Sequence, residues 1–418
     1  DFSAIAANVQ QWISRVKNEG DAAILDYLRT FDQRDGRIGW KPADTFSASD
    51  FLVSAKEIAE AFDRVPADLK KAINEQVKLS RNFHNKLAET LTSNWQIEQW
   101  PGVTAGYRRV PVDSAGLYVP AGKAPLPTVA QILTVAAKAA QVPDIFVVFP
   151  PTDQVSEDAI IYAATQAGVD DLFRVGGIAA IAALAFGTET IPKVAKIAGP
   201  GNLYVQAAKF FVSDRVGIDM IAGPSEAMFI ADETADPDFI ALDLLAQCEH
   251  GPDSAGIVIT TSREVATQIQ EATERHLQTL ERATYAKKAI EKYSAILVAS
   301  DVDELVNLVN EYAPEHLEIQ TKDSAALSQQ LNNVGSVFLG RYSPVAAGDY
   351  ATGTNHTLPT GGAARYASAV SPETFLRTVQ FQELTKEGVG HLLPIVDPIA
   401  TAEGLIGHLD SVRARVSD

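Results

Sequence analysis

The chain has 418 residues, 46% hydrophobic and 21% charged, which is the balance of a globular protein with apolar material for more than one core. Its formal net charge of −18 repels phosphate backbones, so we do not expect it to bind nucleic acid. A single cysteine, Cys248, excludes an internal disulfide and a cysteine-rich zinc site, and the absence of a long apolar run and of a signal-peptide pattern favours a cytoplasmic protein without a membrane partner.

Residues 1–90 carry apolar side chains at helical spacing and predict a helical segment. Residues 95–119 change to short β-prone stretches separated by turns. From about residue 125 strands alternate with helices, and a second alternating block runs from about residue 226 to 340. Such alternation predicts parallel strands joined by crossover helices. We therefore expect an α/β fold with two Rossmann-like α/β/α units.

Residues 341–365 are rich in turn-forming residues and predict a long loop. A short β segment near TVQFQEL and two helices complete the chain. The last helix is mixed in polarity, which favours packing against another subunit. We therefore expect an extended helical tail at the C-terminus, in addition to the helical segment at the N-terminus.

Gln247 and His250 lie at the end of a predicted helix, just before a Gly-Pro pair. They are three residues apart, so their side chains share one face of the last turn. An amide oxygen and an imidazole nitrogen on one face can bind the same cation. A histidine near a helix C-terminus also interacts favourably with the helix dipole, so the segment alone leaves both interpretations open. Cys248 between them is expected to be a small packed residue.

Two further pairs of polar residues occur near the C-terminus. Asp349 and His356 lie in GDYATGTNHTLPTGG, which is either a turn-rich surface loop or a loop that carries a metal ligand and a base. Glu403 and His408 are five residues apart, and about 140° of helical rotation separates them. That pair does not share a helix face and is a weak signal by itself.

Glycine-rich turns follow three predicted strands: GLYVPAGKAPLP, which contains Tyr118, RVGGIAAIA and IAGPGNLYV. Backbone amides at such turns bind cofactor phosphates or serve tight strand–helix packing. None has the spacing G-x-G-x-x-G of the common dinucleotide fingerprint. Ser225 in AGPSE does not fit a nucleophile elbow, so we expect its hydroxyl to bind a ligand or cap a helix.

The segment YAPEHLEI places Glu315 directly before His316 and beside an apolar run. A carboxylate and an imidazole are the two side chains most suited to proton transfer near neutral pH. A solvated turn is the alternative interpretation of the pair.

Taken in order, GLYVPAGKAPLP, IAGPGNLYV, GIDMIAGPSE, QCEHGPDS, YAPEHLEI, GDYATGTNHTLPTGG and EGLIGH closely resemble the histidinol dehydrogenase family. The resemblance extends from about residue 100 to 410. It implies a zinc-dependent enzyme that oxidises L-histidinol through the aldehyde to L-histidine with two NAD+. It also implies a homodimer in which each C-terminal segment completes the partner's active site.

Specific residues follow from the motif match. The implied zinc ligands, one Zn2+ per subunit, are Gln247, His250, Asp349 and His408, the last from the neighbouring chain. The implied catalytic residues are His316, which accepts the alcohol proton, and Glu315, which activates water for the second oxidation. The implied substrate contacts are those four ligands and His316, together with Ser225, His356 and Glu403. The implied cofactor contacts are Tyr118 and Asn202.

One departure from the family concerns the cofactor. The family's glycine turn usually reads GGAQAIA, and its Gln touches NAD+, whereas this chain reads GGIAAIA with Ala179 there. We expect weaker or rearranged cofactor binding without loss of the activity. Ala121, where glycine is usual, is a smaller change.

We expect the chain to divide into four parts: a helical segment, 1–20; a discontinuous zinc and substrate domain, 21–117 with 227–370; an NAD-binding domain, 118–226; and a tail that reaches the partner subunit, 371–418.

Two other functions are compatible with this fold. A dehydrogenase of the same fold that acts on a different alcohol, such as a sulfopropanediol, would keep the metal site and the base but change the substrate contacts. His356 and Glu403 match the histidinol pattern and argue against it. A non-catalytic binding protein would be expected to lose a ligand or the base, and this chain has them all.

Overall fold

The computed structural model describes residues 2–91, 94–121 and 126–417. Within those ranges the chain forms two five-stranded sheets and two three-stranded sheets. Both five-stranded sheets are parallel and have helices packed on them, as the alternation of strands and helices predicts. No helix in the described part of the chain is both long and apolar enough to cross a bilayer.

The N-terminal region, residues 2–91, consists of four α-helices, interrupted between Phe31 and Ala55 by short strands, turns and one 3₁₀ turn. Its helices are α1 Ala6–Glu19, α2 Asp21–Phe31, α3 Ala55–Arg64 and α4 Ala67–Leu91. The strands between them are β1 Gln33–Arg34, β2 Arg37–Ile38 and β3 Lys41–Pro42. The expectation of helices throughout 1–90 is therefore wrong for this antiparallel ribbon. Asp35 and Gly36 both have positive φ and form the tight hairpin turn that an Asp-Gly pair favours.

The next strands are β4 Trp95–Trp100 and β5 Val103–Pro111. They form an antiparallel sheet with β16 Leu376–Leu384, and β5 is the central strand. All six residues of β4 are exposed, although two are tryptophans. A sheet face with this much exposed apolar surface is typical of a protein interface.

The first parallel sheet has the order β10-β9-β6-β7-β8. Its strands are β6 Ser114–Tyr118, β7 Asp144–Phe149, β8 Asp171–Arg174, β9 Lys196–Ala198 and β10 Gly217–Ile218. Its crossover helices are α5 Pro127–Ala139, α6 Gln154–Ala167, α7 Gly177–Phe186 and α8 Leu203–Val212. The strand order reverses between β6 and β9, where ligands of doubly wound sheets usually bind at the carboxyl edge.

The second parallel sheet has the order β13-β12-β11-β14-β15, which is the same topology. Its strands are β11 Glu226–Ala231, β12 Ala255–Thr260, β13 Ala295–Val298, β14 His316–Gln320 and β15 Ser336–Leu339. Its helices are α9 Pro237–Cys248, α10 Arg263–Leu277, α11 Ala283–Tyr293, α12 Val302–Tyr312 and α13 Ser324–Ser328. The reversal of strand order falls between β11 and β14.

The C-terminal part contains three more helices: α14 Val345–Tyr350, α15 Lys386–Ala402 and α16 Ile406–Ser417. The predicted loop at 341–365 is therefore interrupted by α14. Short 3₁₀ turns are at Ala48–Asp50, Ala363–Arg365 and Pro372–Phe375. The last two long helices form the expected tail, with Ile395, Ile399, Leu405 and Ile406 exposed along it.

The N-terminal helices pack on the helices of the first sheet: α1 and α2 on α7, α3 on α6, and α4 on α5 and α6. The predicted boundary between 117 and 118 cuts through β6, which is an inner strand of that sheet. We therefore propose that residues 21–117 belong with the first sheet more than with the second, and we keep the other boundaries as predictions.

A buried ion network connects the N-terminal region to this sheet. Arg174 at the end of β8 is 1% exposed and contacts Glu157 on α6 at 2.6 Å and Glu57 on α3 at 3.0 Å. Its guanidinium also donates to the carbonyl of Asp50 at 3.2 Å. One cation therefore joins a strand, a crossover helix and the N-terminal region.

Replacing Arg174 with alanine should destabilise the protein strongly, because it leaves the buried carboxylate of Glu157 without a countercharge, whereas Glu57 keeps its ion pair with Lys41. We expect a loss of about 3–5 kcal/mol in the free energy of unfolding, measured by urea denaturation. Lys86→Ala removes an exposed contact with Glu89 on α4 and is the matched control. Equal urea midpoints for the two variants would contradict a stabilising role for the network.

Candidate active site

The Glu315–His316 pair lies at the start of β14 and is buried, with 5% and 4% exposure. Helix α12 ends at Tyr312, its C-cap Ala313 has a left-handed φ of 56°, and Pro314 and Glu315 then lead directly into the strand. The neighbouring backbone comes close here: a Cβ on Gly335 would lie 2.5 Å from the carbonyl oxygen of Glu315. The interpretation of the pair as a solvated turn is therefore wrong.

The carboxylate of Glu315 accepts two hydrogen bonds on one oxygen. Ser225 Oγ donates to Oε2 at 2.9 Å, and the backbone N–H of Glu226 donates to the same atom at 2.8 Å. Gln247 Nε2 in turn donates to Ser225 Oγ at 2.9 Å. Through these contacts, residues distant in sequence converge at the amino ends of β11 and β14.

The imidazole of His316 lies between two carboxylates. Its Nδ1 is 3.2 Å from the carbonyl oxygen of Glu226 and 3.6 Å from Glu315 Oε2. Its Nε2 is 3.8 Å from Asp349 Oδ1 and is buried without a hydrogen-bond partner among the described residues. Burial opposes the charged ring, but the combined attraction of Glu315 and Asp349 is larger and raises the pKa of His316 to about 9.

The orientation of His250 suits a metal ligand. Its Nδ1 is 3.1 Å from the carbonyl oxygen of Ala246 and 3.2 Å from that of Gln247, so this nitrogen must donate. The neutral ring then has its lone pair on Nε2, which is the arrangement that metal-binding histidines usually adopt. Gln247 is buried, and because its amide nitrogen is bound to Ser225, its amide oxygen is the atom suited to a cation.

Asp349 is on helix α14, which packs against α9, the helix that carries Gln247. His356 follows in the connecting segment. Burial lowers the pKa of His356, and the charges that act on it include Asp349, His316 and Glu315. His356 Nε2 is buried, with no hydrogen-bond partner in the described ranges. The sequence predicted that Asp349 and His356 lie in one loop. In the structure Asp349 is on α14, and only His356 lies outside helices and strands.

Glu403 and His408, by contrast, are exposed on the C-terminal helices. Among the residues described, no three His, Cys, Asp or Glu side chains converge as a metal centre. Gln247, His250 and Asp349 supply an amide oxygen, a neutral nitrogen and a carboxylate, which is a donor set that fits Zn2+ but has one ligand fewer than a four-coordinate site.

The predicted cofactor residues lie at the carboxyl edge of the first sheet. Tyr118 ends β6, and Asn202 caps α8 by accepting from the N–H groups of Tyr204 and Val205. The Tyr118 hydroxyl accepts from Gly177 N, and Tyr27 accepts from Ile178 N, both at 3.2 Å.

Of the two interpretations of the turn at the start of α7, these contacts favour strand–helix packing, because tyrosine hydroxyls accept from the amides of Gly177 and Ile178. Ala179 in the same turn is fully buried in the core. In the neighbouring motif GLYVPAGKAPLP, residues 122–125 lie outside the described residues.

Three residues at these sites were not identified from the sequence: Tyr27, Glu226 and Tyr312. Glu226 follows Ser225 in AGPSE, and Tyr312 is the first residue of YAPEHLEI. Both therefore lie inside motifs that were already singled out, but their mutual contact depends on the pairing of strands far apart in sequence.

Comparisons with known proteins agree over the full chain. The family profile described as histidinol dehydrogenase matches residues 1–416. The chain is 41% identical to the histidinol dehydrogenase of Methanothermobacter thermautotrophicus, covering 100% of this chain and 95% of that protein. It is 42% identical to that of Synechococcus, covering 98% and 92%. A crystal structure of histidinol dehydrogenase from Elizabethkingia anophelis superposes with a TM-score of 0.90 at 37% identity, covering 100% of this chain and 92% of that chain.

The chain belongs to the histidinol dehydrogenase family. The resemblance inferred from seven short motifs is thereby confirmed, and so are the α/β fold class and the expectation of an oxidoreductase. The matches also include residues 1–99, which the motifs did not cover.

Proposed function

We propose that this chain oxidises L-histidinol to L-histidine in two NAD-linked steps, with one Zn2+ per subunit. The observation that supports this most is the buried Glu315–His316 pair, held beside Asp349 and connected by hydrogen bonds through Ser225 to Gln247. Two oxidations of one substrate require a base for the alcohol and a group that activates water for the aldehyde, and the two neighbouring residues supply one each.

Gln247, His250 and Asp349 would hold the metal, with His408 of the partner subunit as the fourth ligand. When bound, Zn2+ supplies a Lewis-acid anchor for the imidazole and amine nitrogens of the substrate, and NAD+ accepts a hydride in each oxidation. Ser225, His356 and Glu403, the last also from the partner, would contact the substrate. Tyr118 and Asn202 would contact the cofactor, without the contact that the family makes at Ala179.

His316 would accept the proton of the substrate alcohol on Nε2. The ring is oriented for this, because Nδ1 donates to the carbonyl of Glu226 and leaves the lone pair of the neutral ring on Nε2. Despite burial, the attraction of Glu315 and Asp349 raises the pKa of His316 to about 9. A metal bound to Asp349 would offset part of that attraction and would bring the pKa of His316 down toward the range of a working base.

Glu315 would take a proton from the water that attacks the aldehyde. Both of its hydrogen bonds end on Oε2, so its other oxygen is available to that water. Burial in the same pocket as His316 keeps the two proton-transfer groups within reach of one carbon atom of the substrate.

A homodimer would complete the site. In the single chain Glu403 and His408 are exposed, and the surrounding helices expose Ile395, Ile399 and Leu405. The exposed face of β4 adds Trp95, Ile97 and Trp100. A second copy that covers such apolar surface gains hydrophobic free energy and would bring His408 as a metal ligand and Glu403 as a substrate contact. A cytoplasmic location is supported by the single free, buried Cys248.

The proposed activity is tested by NADH formation from L-histidinol. We expect two NADH per histidinol and loss of turnover after treatment with a chelator, restored by added Zn2+. Turnover of a sulfonated diol without turnover of histidinol would contradict the proposed substrate and favour the related alcohol dehydrogenase.

His316→Asn should remove the base but keep the architecture, because the asparagine amide can still donate to the Glu226 carbonyl. We expect a fall in kcat for histidinol of about 10²–10⁴-fold, with bound zinc unchanged by elemental analysis. Near-normal turnover would show that another residue accepts the proton.

Glu315→Gln should separate the two oxidations. The amide oxygen can accept both hydrogen bonds that now end on Oε2, so the fold is retained, but an amide cannot take a proton from water. We expect supplied histidinal to be oxidised about 10²–10⁴-fold more slowly, with a much smaller effect on the first oxidation. Equal losses in both half-reactions would argue against this division of roles.

A further inference from the structure

Glu226 is a buried carboxylate with no part in the proposed chemistry. It is the first residue of β11 and is 8% exposed. The Tyr312 hydroxyl donates to its Oε2 at 3.0 Å, and the backbone N–H of Gly361 donates to its Oε1 at 3.0 Å. Each oxygen of the carboxylate therefore binds a different segment of the chain.

The backbone of the same residue holds both proton-transfer groups. Its N–H donates to Glu315 Oε2 at 2.8 Å, and its carbonyl accepts from His316 Nδ1 at 3.2 Å. A shift of this one peptide segment would therefore move the acceptor that sets the His316 tautomer and a donor that orients the Glu315 carboxylate.

The side-chain contacts restrain that peptide segment from two directions. Tyr312 ends α12, three residues before Glu315. Gly361 lies in the turn that ends the segment carrying Asp349 and His356. Thr360 in the same turn accepts on Oγ1 a hydrogen bond from the N–H of Gly223, which lies in the strand entry, the residues that lead into β11. Glu226 thus connects the strand entry at β11, the helix that precedes the catalytic pair, and the segment that supplies Asp349.

We propose that Glu226 is a positioning residue that fixes His316 and Glu315 for both oxidations. This inference rests on the proposed function, in which those two residues transfer protons. It adds a residue that touches neither substrate nor metal, and it acts through its own backbone groups. Tyr312 shares the role through its hydroxyl.

The carboxylate is suited to this position because two donors reach it. Glutamine can accept from Gly361 with its oxygen and donate from its amide to the Tyr312 hydroxyl, which is able to accept. Alanine leaves the N–H of Gly361 and the hydroxyl of Tyr312 without this partner and allows the start of β11 to move. Comparing the two substitutions therefore separates the effect of the hydrogen bonds of this side chain from the effect of its negative charge.

The test compares Glu226→Ala, Glu226→Gln and Tyr312→Phe by steady-state kinetics with histidinol and with histidinal. For Glu226→Ala we expect kcat to fall about 10²-fold for both substrates, the scale of a misplacement of about 1 Å, with KM and bound zinc nearly unchanged. Glu226→Gln should restore most of kcat. Tyr312→Phe, which removes one of the two restraints, should lower kcat by about 3- to 10-fold.

Tyr162→Phe is the matched control. Its hydroxyl also donates to a side-chain oxygen, Asn74 Oδ1 at 3.2 Å, but this contact joins α6 to the N-terminal helix α4, away from the second sheet. We expect its kcat to be unchanged. A lower kcat found only in Tyr312→Phe would then be due to the contact of that hydroxyl with Glu226, and not to the general effect of removing a tyrosine hydrogen bond.

Three outcomes would overturn the inference: normal kcat in Glu226→Ala, a loss that appears in KM or bound zinc with kcat intact, or no rescue in Glu226→Gln together with normal turnover in Tyr312→Phe. If Glu226→Ala does not fold, the other two variants decide. If the unmodified protein does not oxidise histidinol, the proposed function fails instead. A crystal structure of Glu226→Gln or Tyr312→Phe, beside that of the unmodified protein, then decides the inference: a displaced His316 ring in Tyr312→Phe supports it, and unmoved rings contradict it.

Discussion

The parallel pairing of β11 with β14 is the constraint on which the site depends. In the observed register Ala227 lies opposite His316, and this places Ser225 and Glu226 next to Glu315. A slip of one residue would turn every side chain of β14 to the opposite face of the sheet. The apolar residues Leu317 and Ile319, fully buried on that strand, oppose such a slip, so the hydrophobic core fixes the geometry of the polar site.

The two sheets share a topology, but the candidate site residues lie at opposite edges of them. Tyr118 and Asn202 lie at the carboxyl ends of first-sheet strands, where helices begin, whereas the Glu315–His316 pair lies at the amino edge of the second sheet, where α9 and α12 end. Helix C-termini carry a partial negative charge of about half an elementary charge, which favours a cation there. The amino edge is thus electrostatically suited to the divalent metal proposed there, whereas the residues proposed to contact the cofactor follow the general rule that ligands bind at carboxyl edges.

The sequence predicted the helices and strands well where a periodic pattern of apolar residues extends over many positions. It predicted them poorly where a short turn determines the structure. The strands and crossover helices from 125 to 340 follow from alternating apolar runs. The ribbon at 33–42 was missed although Asp35-Gly36 is a hairpin signal, because its strands are only two residues long. The contacts of Glu226 could not be predicted from the sequence. Its partners Tyr312 and Gly361 are 86 and 135 positions further along the chain, and only strand pairing brings them to Glu226.

The same reasoning explains why Glu403 and His408 looked weak in sequence. If both residues were on one helix, their side chains would have to be on the same face to reach one site, and a separation of five residues puts them on different faces. In the structure Glu403 is the C-cap that follows α15 and His408 lies in the first turn of α16, with Gly404 at a positive φ between them. The chain therefore turns between the two residues, and the face geometry of a single helix does not apply to them. Both are exposed beside uncovered apolar side chains. The proposed fourth ligand, His408, is therefore on a surface that a second subunit would cover, and in that case assembly and metal binding would stabilise each other.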